Sequence, residues 1–320
     1  MEEKLEKSIE KGTKMENQIQ NIIKSLGKDF EGMIMPLSKL ESVESIPFGI
    51  KTLDAITGIN GVPRGMLTEI YGAESNGKSS LCLRLVSEAQ KLGLKTGYID
   101  MELAMSKELA TKAGVNLDAM IIARPSTGEE AFDLLNSMIE SGVQLVIIDS
   151  VSALSPEDEL EAEFSQQSIG LQARLMSKGM RKIIGTAMRH KAAIVFVNQI
   201  RDDINKMGFG PKTTTSGGRA LRFYSALRLQ TARIGWKKKG EEKVGMDIRV
   251  NVVKNKLSRP QLETDLEFYF DKGFDTGTDL LNHYVRLGKV KLVGRTFYID
   301  DKSIGTKSDA IEWVKNNKIE

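Results

Sequence analysis

One cysteine in 320 residues, Cys82, rules out an internal disulfide, and two isolated histidines, His190 and His283, offer no Cys/His metal cluster. A reducing, cytoplasmic compartment is expected and a structural zinc site is not. Long apolar runs are missing too. Stretches such as Leu145 to Ile148 and Ala192 to Val197 fall far short of the ~20 residues a bilayer-spanning helix needs. The opening residues mix Glu and Lys without an apolar stretch, which is not the pattern of a signal peptide. No membrane partner is expected, and there is no internal repeat or low-complexity tract.

The 40% hydrophobic content is enough to bury at least one sizeable core, and the length suggests roughly two domains. The formal net charge of +3 hides an asymmetry. From Pro211 to Arg259 there are 13 Lys or Arg against 3 Asp or Glu, a local +10 that leaves −7 for the remainder. Such a concentration points to a polyanionic partner, although a short run like Lys237 to Lys239, taken alone, reads first as a solvated surface.

Met15, Ile19, Ile22, Ile23 and Leu26 recur at helical spacing before Gly27, and predict an amphipathic helix. Its stripe must pack on its own domain or on a neighbouring subunit. The connector-like segment from Gly27 to Pro47 favours the second option. From Met66 the pattern alternates: a strand to Tyr71, a helix from Ser79 to Leu92, a strand from Thr96 to Asp100, then helix, strand and helix again. This predicts a parallel sheet covered by helices. Leu145 to Asp149 and Ala193 to Asn198 read as its most buried strands. Ligands of such sheets sit beyond the carboxyl ends of the strands, so Glu102, Asp149, Asn198 and Gln199 should converge on one edge. After Lys256 the pattern is more β-rich, with a strand at Glu267 to Phe270, a hairpin of Lys289 to Val293 with Thr296 to Ile299 around Gly294, and a helix near Ile311 to Val314.

Gly72-Ala73-Glu74-Ser75-Asn76-Gly77-Lys78-Ser79 matches G-x-x-x-x-G-K-[ST] and is followed by Ser80. In such a loop the glycines let backbone N–H groups wrap the phosphates of ATP, Lys78 reaches the terminal phosphates and Ser79 ligates Mg2+. The preceding strand and following helix are the context the motif requires. Asp149, at the end of an apolar strand, is placed to hold Mg2+ opposite Ser79, or else to cap the turn before Ser150. Glu102 follows the strand ending at Asp100 and is a candidate to orient the attacking water, though a surface glutamate would read the same way. Gln199 ends the next strand, as a sensor of the γ-phosphate or as a satisfied buried amide.

Lys206 to Gly218, with a threonine triplet at Thr213 to Thr215 and the pair Gly217-Gly218, has no apolar period and reads as a mobile loop. Lys206, Lys212 and its glycine amides would suit phosphates. Between Leu171 and Met188 an apolar face of Leu171, Leu175, Ile183, Ile184 and Ala187 leaves Arg174, Lys178 and Arg181 on another. That stripe suits a nucleic-acid backbone or plain solvent.

Four motifs together resemble the RecA family of homologous-recombination ATPases: Gly72 to Ser79, Val146-Ile147-Ile148-Asp149-Ser150-Val151, Phe196-Val197-Asn198-Gln199-Ile200-Arg201 and Val252-Val253-Lys254-Asn255-Lys256. The similarity runs from about residue 15 to the C-terminal end. Gly170-Leu171 through Arg181, Thr213 to Thr215 and Gly217-Gly218 fall in the family's order.

The resemblance implies an α/β fold: a RecA-like P-loop ATPase core with a mainly parallel sheet flanked by helices over 45–275, an N-terminal docking helix and linker over 1–44, and a small α+β domain over 276–320. It implies a helical filament of many copies on single-stranded DNA, with ATP sandwiched between subunits, that pairs with a homologous duplex and exchanges strands in recombination and repair. By motif, Glu102 is the catalytic glutamate and Gln199 the γ-phosphate sensor. Lys254 and Lys256 are the cations that reach a neighbour's ATP. Glu157 to Ser168 and Asp202 to Ser216 resemble the two DNA-binding loops, while Arg174, Ser177, Arg181, Gly217 and Gly218 match backbone-contacting positions.

Departures from the bacterial pattern are Leu109 in place of a tyrosine stacked on adenine and Ser106 in place of an aspartate near the base. They weaken base recognition or make it less adenine-selective, with Phe270 left to supply one aromatic face. Arg219 and Lys212 make the second loop more basic than usual, and a strongly acidic tail is missing. Three other readings share parts of this pattern: a hexameric DNA helicase, a DNA scaffold switched by ATP without turnover, and a small-molecule kinase, for which no lid or acceptor pocket is evident.

Overall fold

The structure, a computed structural model, describes residues 2–26, 34–161, 170–202 and 213–317. The chain divides into two compact units, residues 1–43 and 44–320. The first holds one long helix, α1 (Glu2–Leu26), and a short 3-10 turn at Leu37–Lys39. α1 begins well before Met15, where the apolar period starts, because the Glu/Lys-rich residues ahead of it are good helix formers that need no apolar stripe. Met15, Ile19, Ile22 and Leu26 are exposed along one face of it.

The second unit is built on one sheet. Its parallel strands are β1 (Leu67–Gly72), β2 (Thr96–Asp100), β3 (Met120–Ala123), β4 (Leu145–Asp149), β5 (Ala193–Asp202) and β6 (Leu227–Lys239), in the spatial order β3–β2–β4–β5–β1–β6. Beyond β6 the sheet continues antiparallel with β7 (Glu242–Asn255) and β8 (Glu263–Tyr269), and Thr213–Thr215 pairs antiparallel with the end of β5. The helices include α2 (Lys51–Thr57), α3 (Lys78–Lys91), α4 (Lys107–Lys112), α5 (Gly128–Glu140), α6 (Leu171–Arg189) and α7 (Ala220–Tyr224), besides a short one at Glu157–Glu161.

The unbroken apolar runs have a simple cause. In β4, Leu145 and Ile147 belong to the core that includes α3, while Val146 and Ile148 belong to the core that includes α5 and α6. β5 divides in the same way, with Val195 and Val197 on one side and Ile194 and Phe196 on the other. A strand buried on both faces has no polar face to alternate with. Parallel registers align the strand ends, Gly72 with Gln199 and Asp100 with Asp149, so all four stand on one edge of the sheet.

The 13- and 14-residue strands β6 and β7 carry much of the basic window and were not legible as strands. Here the structure tempers the charge count. Arg228 pairs with Glu69, Lys237 with Asp247 and Glu267, and Arg249 with Asp265. Three of these acids lie outside the window, so its +10 overstates the field it presents.

Past β8, α8 (Thr276–Arg286) is capped by Asp275. A small sheet of β9 (Lys291–Val293), β10 (Thr296–Ile299) and β11 (Lys302–Gly305) and the helix α9 (Lys307–Asn316) close a core around Leu281, Val290, Phe297 and Val314. The predicted hairpin is therefore three-stranded. β11 is not apparent in the sequence because its turn is Asp300-Asp301, two positive-φ residues without the usual glycine. α8 is fastened to α2 by the Asp279 carboxylate, which accepts from Lys51 N (2.5 Å), Thr52 N (3.1 Å) and the Thr52 hydroxyl.

Asp54 in α2 is buried and accepts from Phe48 N at 2.7 Å, yet burial pushes its carboxyl from 3.8 up to about 7. The folded chain therefore keeps a proton that the unfolded chain sheds above pH 3.8. The associated stability is present in full below that pH and is lost as pH rises through about 7. Relative to Asp54→Asn, the wild type should lose up to about 1.4 kcal/mol per pH unit across that window in denaturant melts. Parallel pH profiles for the two proteins would show that Asp54 does not titrate there.

Candidate nucleotide site and nucleic-acid face

β1 ends at Gly72 and α3 begins at Lys78, so the loop between them sits at the carboxyl edge of the sheet against a helix N-terminus. Two glycines are fixed by contacts. A Cβ on Gly72 would stand 2.2 Å from the Thr231 carbonyl oxygen, and Gly77, at φ +77°, would drive one to 2.5 Å from Ile248 Cδ1. The Lys78 ammonium folds back onto the loop, donating to Ala73 O (2.8 Å) and Gly72 O (3.2 Å). Burial pushes that ammonium down, against the opposing pull of Asp149 and Glu102.

The acidic wall faces it. Ser79 Oγ and Tyr98 OH each donate to Asp149 Oδ2 at 2.6 Å, and burial raises the Asp149 carboxyl despite both bonds. Glu102 Oε1 accepts from Gln199 Nε2 (3.0 Å) and from the Ser150 hydroxyl. Lys78, Ser79, Glu102, Asp149 and Gln199 thus line a single open cleft, together with Glu74, Ser75 and Asn76. Its far wall is Leu109, Met246, Phe268 and Phe270. A buried cation, backbone donors at a helix start, a hydroxyl beside a carboxylate and a carboxylate beside an amide form a site for a polyphosphate and the water that would attack it.

On the neighbouring surface Arg174, Lys178 and Arg181 are exposed along α6, opposite the buried Leu175, Met176, Met180 and Ile183. Ser177 spends its hydroxyl on Ala173 O (2.8 Å). Gly217 and Gly218 seat the threonine segment against this helix. A Cβ on Gly217 would meet Val151 at 2.9 Å and Met176 at 3.1 Å, and one on Gly218 would meet Ala173 at 3.0 Å. Arg219 is exposed beside them. Lys206 and Lys212 lie outside the described residues, as do 162–168 of the first loop. Lys254 and Lys256 are elsewhere: Lys254 pairs across from Arg228 and Lys256 N bonds to Ala226 O, at the amino-terminal edge of β6. They stand at the opposite end of the sheet from this chain's own phosphate loop. Lys254 Nζ donates to Arg222 O (2.6 Å) and Phe223 O (2.9 Å), and burial, then Lys256 and Arg228, pushes it down.

The sequence model of the RecA N-terminal domain matches residues 13–275. The chain is 40% identical over 300 residues to the protein RecA of Fusobacterium nucleatum, covering 92% of this chain and 79% of that one. It is 41% identical over 306 residues to the protein RecA of Aquifex aeolicus, covering 95% and 88%. The chain belongs to the RecA family. Its activity is that of a RecA recombinase, a DNA-dependent ATPase of homologous recombination, and it binds ATP. The crystal structure of the RadB recombinase shares the fold, with a TM-score of 0.55 at 21% identity over 72% of this chain and 98% of that one. Among the described residues no helix is long and apolar enough to cross a membrane.

Within this RecA-family core some partners were not foreseen. Tyr98 lies inside a fully buried strand, and its hydroxyl joins that of Ser79 in steadying Asp149. Arg222 donates to Thr215 Oγ1 (3.1 Å) and to the Thr214 hydroxyl, holding the threonine segment from α7. Deeper in, the fully buried Glu69 accepts from Arg228 Nε (2.5 Å) and Asn198 Nδ2 (2.9 Å), and Asn198 also donates to Ser216 O (3.1 Å). An acid inside β1 and an arginine between two leucines at the start of β6 are the only trace of it in the sequence. Arg228→Met would leave Glu69 buried without its counter-charge. A loss of roughly 3 kcal/mol is expected in urea melts, and a loss below about 1 kcal/mol would mean that water replaces the guanidinium.

Proposed function

We propose that copies of this chain assemble as a helical filament on single-stranded DNA, bind ATP between subunits, pair with homologous duplex DNA and exchange strands. The observation that carries the proposal is the bond from Gln199 to Glu102 in a cleft that also holds Lys78, Ser79 and Asp149. Glu102 is the group to orient the attacking water, and Gln199 the one to trade Glu102 for the γ-phosphate. A hydroxyl beside a buried carboxylate, with no thiol or imidazole in the cleft lining, suits Mg2+, which takes much of its coordination from phosphate and water. Ser79 and Asp149 would hold it, and it would supply neutralisation of the phosphate charge.

Lys254 and Lys256, remote from their own cleft, serve the cleft of an adjoining subunit. That arrangement makes full turnover conditional on assembly. α1, with its exposed apolar stripe, is the segment that docks on that subunit. Arg174, Ser177, Arg181, Gly217, Gly218 and Arg219 contact the DNA backbone, with Lys206 and Lys212 from the second loop.

The test is ATP hydrolysis measured with and without single-stranded DNA, with negative-stain microscopy of the same samples. Strong stimulation together with open helical filaments is the expected result. DNA-independent turnover with closed rings or monomers would mean that the filament proposal is wrong.

A further inference from the structure

The phosphate cleft does not end at Ser80. It runs on into a recess, and Ser80, Leu109, Phe268 and Phe270 line both. A nucleotide whose phosphates lie on the loop at 72–79 would place its base there, a step that rests on the reading under "Proposed function". Leu83, Phe268 and Phe274 form the apolar part of the recess, and Phe270 and Leu109 stand half-exposed at its mouth.

What the recess offers to the edge of a base is one-sided. Its lining holds no carboxylate and no side-chain amide. Arg84 is committed to Phe48 O (3.2 Å), Gly49 O (3.3 Å) and Glu88 (2.7 Å), and Tyr269 OH donates to Glu267 (3.2 Å). Ser106, just outside, spends its oxygen on the N-terminus of α4 by accepting from Leu109 N at 3.1 Å. The remaining polar side chains are Ser80 and two exposed lysines: Lys112 in the last turn of α4, and Lys272, whose ammonium lies 4.1 Å from the Tyr269 ring centroid. An ammonium is a donor only. The 6-amino group of adenine is a donor as well and finds no acceptor on either lysine, while the Ser80 and Tyr269 hydroxyls can donate or accept and so favour neither base. The O6 and N7 atoms of guanine are acceptors, for which lysine is a suitable partner. A site rejects an analogue strongly only when that analogue strands a polar group built for the preferred one, and no acceptor-only side chain that would be stranded by a 6-oxo group lines this recess.

We propose that the nucleotide site accepts guanine nucleoside triphosphate as readily as ATP, and that Lys112 and Lys272 set this tolerance by donating to the 6-oxo edge. The proposal is tested by displacing a fluorescent ATP analogue from the full chain with ATP or GTP, in the wild type and in the K112M/K272M double variant. In the wild type, GTP is expected to compete within about threefold of ATP. In the variant, the affinity ratio of GTP to ATP is expected to fall about tenfold, the scale of one good base-edge contact. Both lysines are exposed, so an unchanged melting temperature certifies the variant's fold. A wild type that prefers ATP by tenfold or more, or an unchanged ratio in the variant, overturns the base assignment alone. A wild type that binds neither nucleotide overturns it together with the phosphate-loop reading.

Discussion

Lys78→Ala should abolish measurable nucleotide binding, a loss of at least about thirtyfold in affinity, judged from the 2–5 kcal/mol typical when one partner of a buried charge pair is removed. Lys78 is 8% exposed, and the carboxylates of Asp149 and Glu102 both act to hold its proton on. Without the ammonium those carboxylates face the incoming phosphates uncompensated, so binding loses an attraction and gains a repulsion together. Titration calorimetry with ATP would read it. Affinity retained within tenfold would remove Lys78 from phosphate binding, whatever the motif suggests. Circular dichroism controls for folding, since the side chain's two hydrogen bonds are to loop carbonyls and not to the core.

Glu102→Gln should separate binding from turnover. The side chain is exposed and stands at the cleft wall, held by Gln199 and Ser150. The amide keeps the size and one acceptor oxygen of the carboxylate but cannot take a proton from water. Losing a general base costs about 10²- to 10⁴-fold in rate, so DNA-dependent hydrolysis should fall by that factor while ATP affinity stays within about threefold. Single-turnover hydrolysis with a parallel binding isotherm distinguishes the two. Undiminished turnover would assign the base elsewhere, and an equal fall in binding would make Glu102 a structural member of the cleft.

How far the chain could be read before its structure depended on the range of the interactions involved. The edge that gathers Gly72, Asp149 and Gln199 was legible because each closes an apolar run of strand length, and a parallel sheet has one carboxyl edge. Glu69, Arg228 and Asn198 were not legible as a unit. They meet across β1, β5 and β6, up to 159 residues apart, and nothing local marks either charge as buried. Tyr98 failed for the opposite reason, since its ring fits an apolar strand so well that the hydroxyl's task at Asp149 is invisible. The basic window misled in degree because the acids that answer it come from β1 and β8. The base recess likewise depends on α4 and the end of β8 arriving at one place.

The short ladder at the end of β5 has a consequence for how this protein can vary. Ile200 pairs with Thr215 and Asp202 with Thr213, while Asn198 holds Ser216 O. Whatever path residues 203–212 take, both their ends are already tied to one strand. For a chain closed in this way, doubling the span adds only about 0.6 kcal/mol of closure entropy. Residues can therefore be inserted or deleted between Asp202 and Thr213 at little thermodynamic cost to the fold. A change of length between these two anchored ends is therefore separable from the strand ends that carry the ATPase cleft.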